Sequence, residues 1–234
     1  MKKICLLFAI ILLAAGGILF CLAPGPLAML IVGIMDALIL AGFFISILPS
    51  TRFGHGFFTA ANEVRSIRQT APDNVWDALK DTKMLFKNDT LDELYADYKD
   101  RVAVADTEDT ESQIEIDEVI NEEAIELRTW QRVVSQIPNV LTAMGILGTF
   151  VGLLAGIQTI RFSSVEVAVN SLQTLLSGIG VAFYTSIAGV ILSVLYSIAS
   201  RTLWNMMLRN MDAFNRDFHL YVMPELKKRI KANE

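Results

Sequence analysis

The sequence predicts an all-α membrane protein with about four transmembrane helices and a helical cytoplasmic insert between spans two and three. Three observations carry this. Of the 234 residues, 53% are hydrophobic and 19% are charged, with mean hydropathy +0.45. That is too apolar for an ordinary soluble domain and too charged for a chain immersed in lipid throughout. Apolar runs occur at Ile4 to Cys21, Leu27 to Leu48, Pro138 to Ile160 and Gly178 to Ser200. Each is roughly 20 residues, enough for a helix to cross ~30 Å of hydrocarbon. Finally, the arginines gather beside the runs and most of the acids in one block between them. The predicted division is 1–49 for spans one and two, 50–137 for the insert, 138–200 for spans three and four, and 201–234 for a cytoplasmic C-terminal helix.

Met1-Lys2-Lys3 precedes the first run, so the N-terminus is expected in the cytoplasm. A cleaved signal peptide is the competing reading. Cys21-Leu22-Ala23 has the small-x-small form, but Pro24 would follow the cut, which favours a retained span. Cys5 and Cys21 fall ~24 Å apart on one helix and cannot pair with each other. Pro24-Gly25-Pro26 makes a tight outer turn, and Leu27 to Leu48 crosses back. Asp36 stands near the middle of that second span, where an ionisable group costs at least ~2.5 kcal/mol and is a candidate functional acid. A protonated Asp36 fastening its helix to a neighbour is the plainer expectation.

Pro49 is expected to end span two, with Arg52, Arg65 and Arg68 on the cytoplasmic side. In the insert, Pro72-Asp73 opens an amphipathic run through Trp76, Leu79, Lys83 and Phe86. Thr90 and Glu93 have capping-box spacing before Leu91, Leu94, Tyr95 and Tyr98. Asp106, Glu108, Asp109 and Glu111 cluster but lack the order of a calcium loop, so they read as a solvated face. Leu127, Trp130, Val133 and Ile137 lead into span three, with Pro138 expected as a bend. Arg161 to Ser177 is read as an outer loop whose stripe Val165, Val169, Leu172 and Leu176 forms an interfacial helix turning into the fourth span. After Ser200, the stripe Trp204, Leu208, Met211, Phe218 and Val222 continues to Pro224.

Spans three and four carry the pattern that matters. Gly145, Gly148, Gly152 and Gly156 fall on one helical face; so do Gly178, Ala182, Ser186, Gly189, Ser193, Ser197 and Ser200 on the next helix. Small residues on one stripe let helix backbones approach closely, as a tight helix pair or as a seam between copies. Thr149 lies ~18 Å from the outer end of its span and Ser186 ~16 Å, so two hydroxyls meet near mid-membrane. Thr185 lies next to Ser186, about 100° round the helix.

Gly145-Ile-Leu-Gly148-Thr149-Phe-Val-Gly152 resembles the Gly-Leu-Leu-Gly-Thr-Val-x-Gly signature of the MotA/TolQ/ExbB proton-channel family. Gly178-Ile-x-x-Ala182-x-x-Thr185-Ser186-x-x-Gly189 is similar to that family's next helix, with Ser186 at the family Thr, Thr185 at the preceding Ala, and Val181 where the family carries Glu. The forms Gly-Ile-Leu-Gly-Thr-Phe and Ala-Phe-Tyr-Thr-Ser look closest to the ZorA branch, of Zorya anti-phage defence. These motifs lie in the last hundred residues. The resemblance implies a multi-pass protein of the bacterial inner membrane. It also implies a homo-oligomer, a pentamer, around a dimer of a single-span partner (MotB-, TolR-, ExbD- or ZorB-like) carrying one membrane Asp.

Spans three and four offer hydroxyls but no acid or base, so a titrating group must come from another chain or from Asp36. The expected function is an ion channel or stator subunit, for protons, with Thr149, Ser186 and Thr185 on the ion pathway. It would couple ion-motive force to mechanical work of a partner complex, anti-phage defence among the candidates. The alternatives are a TolQ/ExbB-like or flagellar-stator-like energiser, and a membrane scaffold that conducts nothing. An enzyme is not expected, because His55 and His219 both fall outside the spans and no serine there has a base beside it. No cofactor motif, Cys/His metal spacing or phosphate-cradling loop occurs, so no metal is expected, and a net charge of −5 gives no nucleic-acid signal.

Overall fold

A computed structural model describes residues 1–71, 74–107, 114–161 and 163–226. Among them there is no strand, and the protein is an all-α membrane protein. In chain order the helices are α1 (Lys2–Cys21), α2 (Pro26–Gly42), a π-helical turn (Phe43–Ile47), α3 (Leu48–Thr70), α4 (Val75–Lys80) and α5 (Asp89–Thr107). After them come α6 (Ile116–Val119), α7 (Glu122–Thr129), α8 (Gln131–Val134), α9 (Ile137–Ile157) and α10 (Val165–Tyr221). Four helical stretches are long and apolar enough to cross a membrane: Lys2–Cys21, Pro26–Thr70, Gln131–Ile157 and Val165–Leu226.

Several helix ends differ from the sequence expectation, each for a local reason. Pro49 does not end the helix of span two, and the helical run continues through it to Thr70. The π turn immediately before it shifts the hydrogen-bond register, which accommodates a residue that has no N–H to give. Pro138 is not a bend inside a continuous helix; it occupies the first turn of α9, where a missing donor costs nothing. Just upstream, Trp130 closes α7 in the left-handed conformation with φ 52°. The stripe from Val165 to Leu176 is helical and turns straight into span four, as expected. It forms the first turns of α10, whose 57 residues also pass through position 200, because neither Gly nor Pro lies between Ser163 and Ser177 to break it.

The chain forms two compact units: Met1 with Leu48–Gln131 and Thr202–Glu234, and Lys2–Ile47 with Arg132–Arg201. In the first, aromatic rings make the core. Phe86 and Phe214 have centroids 4.9 Å apart, Phe57 and Phe86 5.5 Å, and Tyr98 and Phe218 5.6 Å, mostly edge-on. Polar ties fix the surrounding elements. Glu225 accepts from the N–H groups of Val75 (3.0 Å) and Trp76 (2.8 Å) at the start of α4, and Arg65 pairs with buried Asp217 at 2.7 Å. Helix α4 ends at Lys80, so Lys83 and Phe86 follow it in the turn. The start of α5 also differs from the Thr90–Glu93 capping box. Asn88 accepts from Leu91 N–H at 3.2 Å, while Asp92 accepts from the N–H groups of Phe86 (2.8 Å) and Asn88 (2.9 Å). Asn caps as well as Thr, and Asp92 can hold two donors at once, which Glu93 on the exposed face cannot. Pro72, Asp73, Glu108, Asp109 and Glu111 lie outside the described residues, as does the end of the chain from position 227.

In the second unit, α1 packs antiparallel to α2, and α9 against the portion of α10 up to Arg201. Tyr184 donates from its hydroxyl to the Leu19 carbonyl, tying α10 to α1. Val181 is buried with Ala23 and Ala28. An apolar side chain therefore suits the position where the resembled family has Glu.

Candidate functional site: the helix seam and its hydroxyl flank

The small-residue faces of α9 and α10 meet inside one chain. A Cβ on Gly145 would lie 3.3 Å from Gly189 Cα, and one on Gly152 would lie 2.9 Å from both Ala182 N and Gly178 O. A Cβ on Gly178 would lie 2.6 Å from Gly152 O, and on Gly189 2.7 Å from Leu141 O. Gly156 meets Leu175, and Gly178 in turn meets Gly156. The paired numbers sum to nearly the same value throughout, which is the signature of an antiparallel register without slippage. At the end of the seam where α9 begins, Ser193 Oγ donates to the Pro138 carbonyl at 2.8 Å. Backbone this close leaves no room for a methyl group, so the glycines serve contact within the chain.

Thr185 fills the seam opposite Gly148. It is fully buried, and its Oγ1 lies 3.0 Å from the carbonyls of Val181 and Ala182 on its own helix. The hydroxyl is thus committed locally and faces no open space. Thr149 and Ser186 are placed differently. Each follows a seam residue by one position, Thr149 after Gly148 and Ser186 after Thr185. In an antiparallel pair of right-handed helices a step of ~100° from the seam turns both residues to the same flank. The register also sets them at one level. Both are half-exposed, Thr149 donates to the Ile146 carbonyl, and the Ser186 hydroxyl makes no hydrogen bond among the described residues. Their neighbours on that flank, Ile146, Leu153, Phe183 and Val190, are exposed and apolar. The result is one polar level on an apolar strip, formed of groups that can donate or accept without titrating.

Over residues 85–216, more than half of the chain, the sequence matches the profile of the MotA/TolQ/ExbB proton channel family. The chain belongs to that family. The match begins at residue 85, well ahead of the two motif helices, and takes in most of the insert. A 60-residue segment is 37% identical to the Zorya protein ZorA of Escherichia coli. That segment is 26% of this chain and 10% of that protein, so the likeness to ZorA covers only a small part of its length. Membership in the MotA/TolQ/ExbB family accords with the four apolar helices and supports a stator-like ion channel in general.

Asp36 lies apart from the seam, on α2. Its carboxyl rests on the α1 backbone, where a Cβ on Gly16 would come within 2.3 Å of Oδ1. Two features are not visible from motifs. Tyr196 is fully buried against Gly42 and its hydroxyl has no partner among the described residues. Glu115, Asp117 and His219 bring their ligand atoms within 4.8 Å of one another, with His219 Nε2 2.9 Å from Asp117 Oδ2. These three could hold a metal ion. Local spacing cannot reveal them, since Glu115 precedes α6, Asp117 lies on it, and His219 comes from α10, 102 residues beyond Asp117.

Proposed function

We propose that this chain is the channel-forming subunit of an inner-membrane stator, conducting protons and passing the energy to a partner complex. The observation that carries the reading is the shared level and flank of Thr149 and Ser186. A carboxylate moving past that level needs hydrogen-bond donors when charged and acceptors when neutral, and two hydroxyls supply both. They bind no proton themselves. The titrating acid is then an Asp on a single-span partner helix, with copies of this chain, five in the family's arrangement, surrounding two such helices. The insert and both termini lie in the cytoplasm, as the flanking Lys and Arg residues favour. The ZorA-like segment favours anti-phage defence as the process driven, over a TolQ/ExbB-like or flagellar role. In this reading the chain is no enzyme.

Proton flux into liposomes, with and without a single-span partner carrying a membrane Asp, tests the proposal. Flux should need the partner and should vanish with Thr149→Ala plus Ser186→Ala, while expression and assembly persist. A double variant that conducts like the parent overturns the assignment. A correctly assembled complex that never conducts favours the scaffold.

A further inference from the structure

Helices α1 and α2 and the π turn line a partly open cavity of about 300 Å³. Leu12, Leu13, Ile39, Leu40 and Phe44 supply most of its wall, and Asp36 is its one ionisable group. Among the described residues no group donates a hydrogen bond to that carboxyl and no cation pairs with it. A carboxyl within an apolar span is costly unless something compensates it, and acyl chains at that depth offer nothing. Two aromatic rings, Phe43 and Phe44, stand edge to face with centroids 5.8 Å apart, and both line the same cavity. They belong to the π turn, an irregularity that occurs disproportionately at functional sites. Gly16 admits the carboxyl against the α1 backbone, and Gly17 borders open space, with nothing within 4 Å of where its Cβ would stand. Leu13 and Phe44 are largely exposed, so the cavity can be entered from the bilayer.

We infer that this cavity is a binding site for an apolar amine, held by Asp36 as counter-ion and by the rings of Phe43 and Phe44. A carboxyl with no internal hydrogen-bond donor or cation, an apolar wall and aromatic faces together select a basic nitrogen on a hydrocarbon body, which takes up the carboxyl proton and pairs with the anion left behind. An acyl chain would fill the volume but leave the acid unpaired. A neutral alcohol would satisfy one hydrogen bond and gain little from the rings.

The test uses the full chain in lipid nanodiscs and a photoreactive long-chain tertiary amine, with an uncharged ether of the same skeleton as control. Peptide mapping should place amine adducts on α1 and α2, at roughly tenfold or more over the ether. Asp36→Asn should reduce amine labelling to the ether's level. Gly17→Leu, whose side chain points into open space, should block both probes there while retaining helix content and thermal stability. Equal labelling by amine and ether identifies a lipid-filled gap and overturns the inference. So does amine labelling that survives both substitutions. Neither readout involves ion flux, so the result stands apart from the fate of the stator reading.

Discussion

Gly148 lies so close to Thr185 that a methyl carbon on the glycine would sit 2.3 Å from the threonine Oγ1 and 2.6 Å from its Cβ. The obstruction there is a side chain. At Gly152 it is backbone, Ala182 N and Gly178 O. The two positions should therefore respond differently to the same change. Gly148→Ala should lower thermal stability in detergent, and adding Thr185→Gly should recover part of it, giving a coupling of about 1–3 kcal/mol. Gly152→Ala should have no such partner. Recovery of Gly152→Ala by any side-chain truncation on α10 would mean that the backbones are not in contact.

Substitution of Thr185 tests whether packing and the proposed conduction are separate. Its hydroxyl is committed to its own helix, so Thr185→Ala should leave partner-dependent flux near the parent level. Thr149→Ser, which keeps a hydroxyl on the exposed flank, should also be mild. Loss of flux in Thr185→Ala with unchanged stability would move the pathway into the seam.

The proposed orientation, with the insert and both termini in the cytoplasm, rests on the basic residues at the span ends. On a background lacking Cys5 and Cys21, a cysteine at Ser164 should react with an impermeant maleimide added outside cells, and one at Glu93 should not. Labelling at 93 alone would invert the topology.

Asp92 holds two backbone N–H groups at the start of α5. Asp92→Ala leaves both without an acceptor and should cost about 1–3 kcal/mol, read as a lower denaturation midpoint. Glu93→Ala, at the exposed position favoured by sequence spacing alone, should cost far less.

Burial pushes the Tyr95 and Tyr98 phenols well above the usual tyrosine range, reinforced at Tyr95 by Tyr98 and at Tyr98 by Glu115 and Glu118. The folded state thus favours the neutral phenols, and their contribution is complete below the unfolded pKa of ~10. It is lost as pH rises from there toward the folded values. Denaturation midpoints should fall between pH 10 and 12, and Tyr95→Phe with Tyr98→Phe should flatten that fall.

Much of this was legible in the residues. Gly148, Gly152 and Gly156 announce a close helix face by their spacing, and Ser186 and Thr149 could be set at one depth by counting. Whether that face meets another copy or the same chain was not legible, because a glycine stripe has no partner written into it. Only the pairing of Gly145 with Gly189 and of Gly152 with Ala182 places the seam within one chain. The flank shared by Thr149 and Ser186 likewise needs the register. Helix ends escape sequence reading where a residue has two uses: Pro49 beside a π turn, Pro138 in a first turn, Asn88 as a cap ahead of Thr90. The Glu115, Asp117 and His219 cluster depends on contact distant in sequence and has no local trace.

The constant sum of paired positions along α9 and α10 has an editorial consequence. Adding or deleting one residue between Gly145 and Gly156 would rotate everything beyond it by ~100° and shift it by ~1.5 Å. Leu153, after a deletion, or Val151, after an insertion, would then be driven into the notch that Gly152 leaves. No substitution elsewhere on α9 could undo that, and only a matching change on α10 could restore the count. The two helices are therefore bound to a common length, free to change letters on their outer faces but not to gain or lose one.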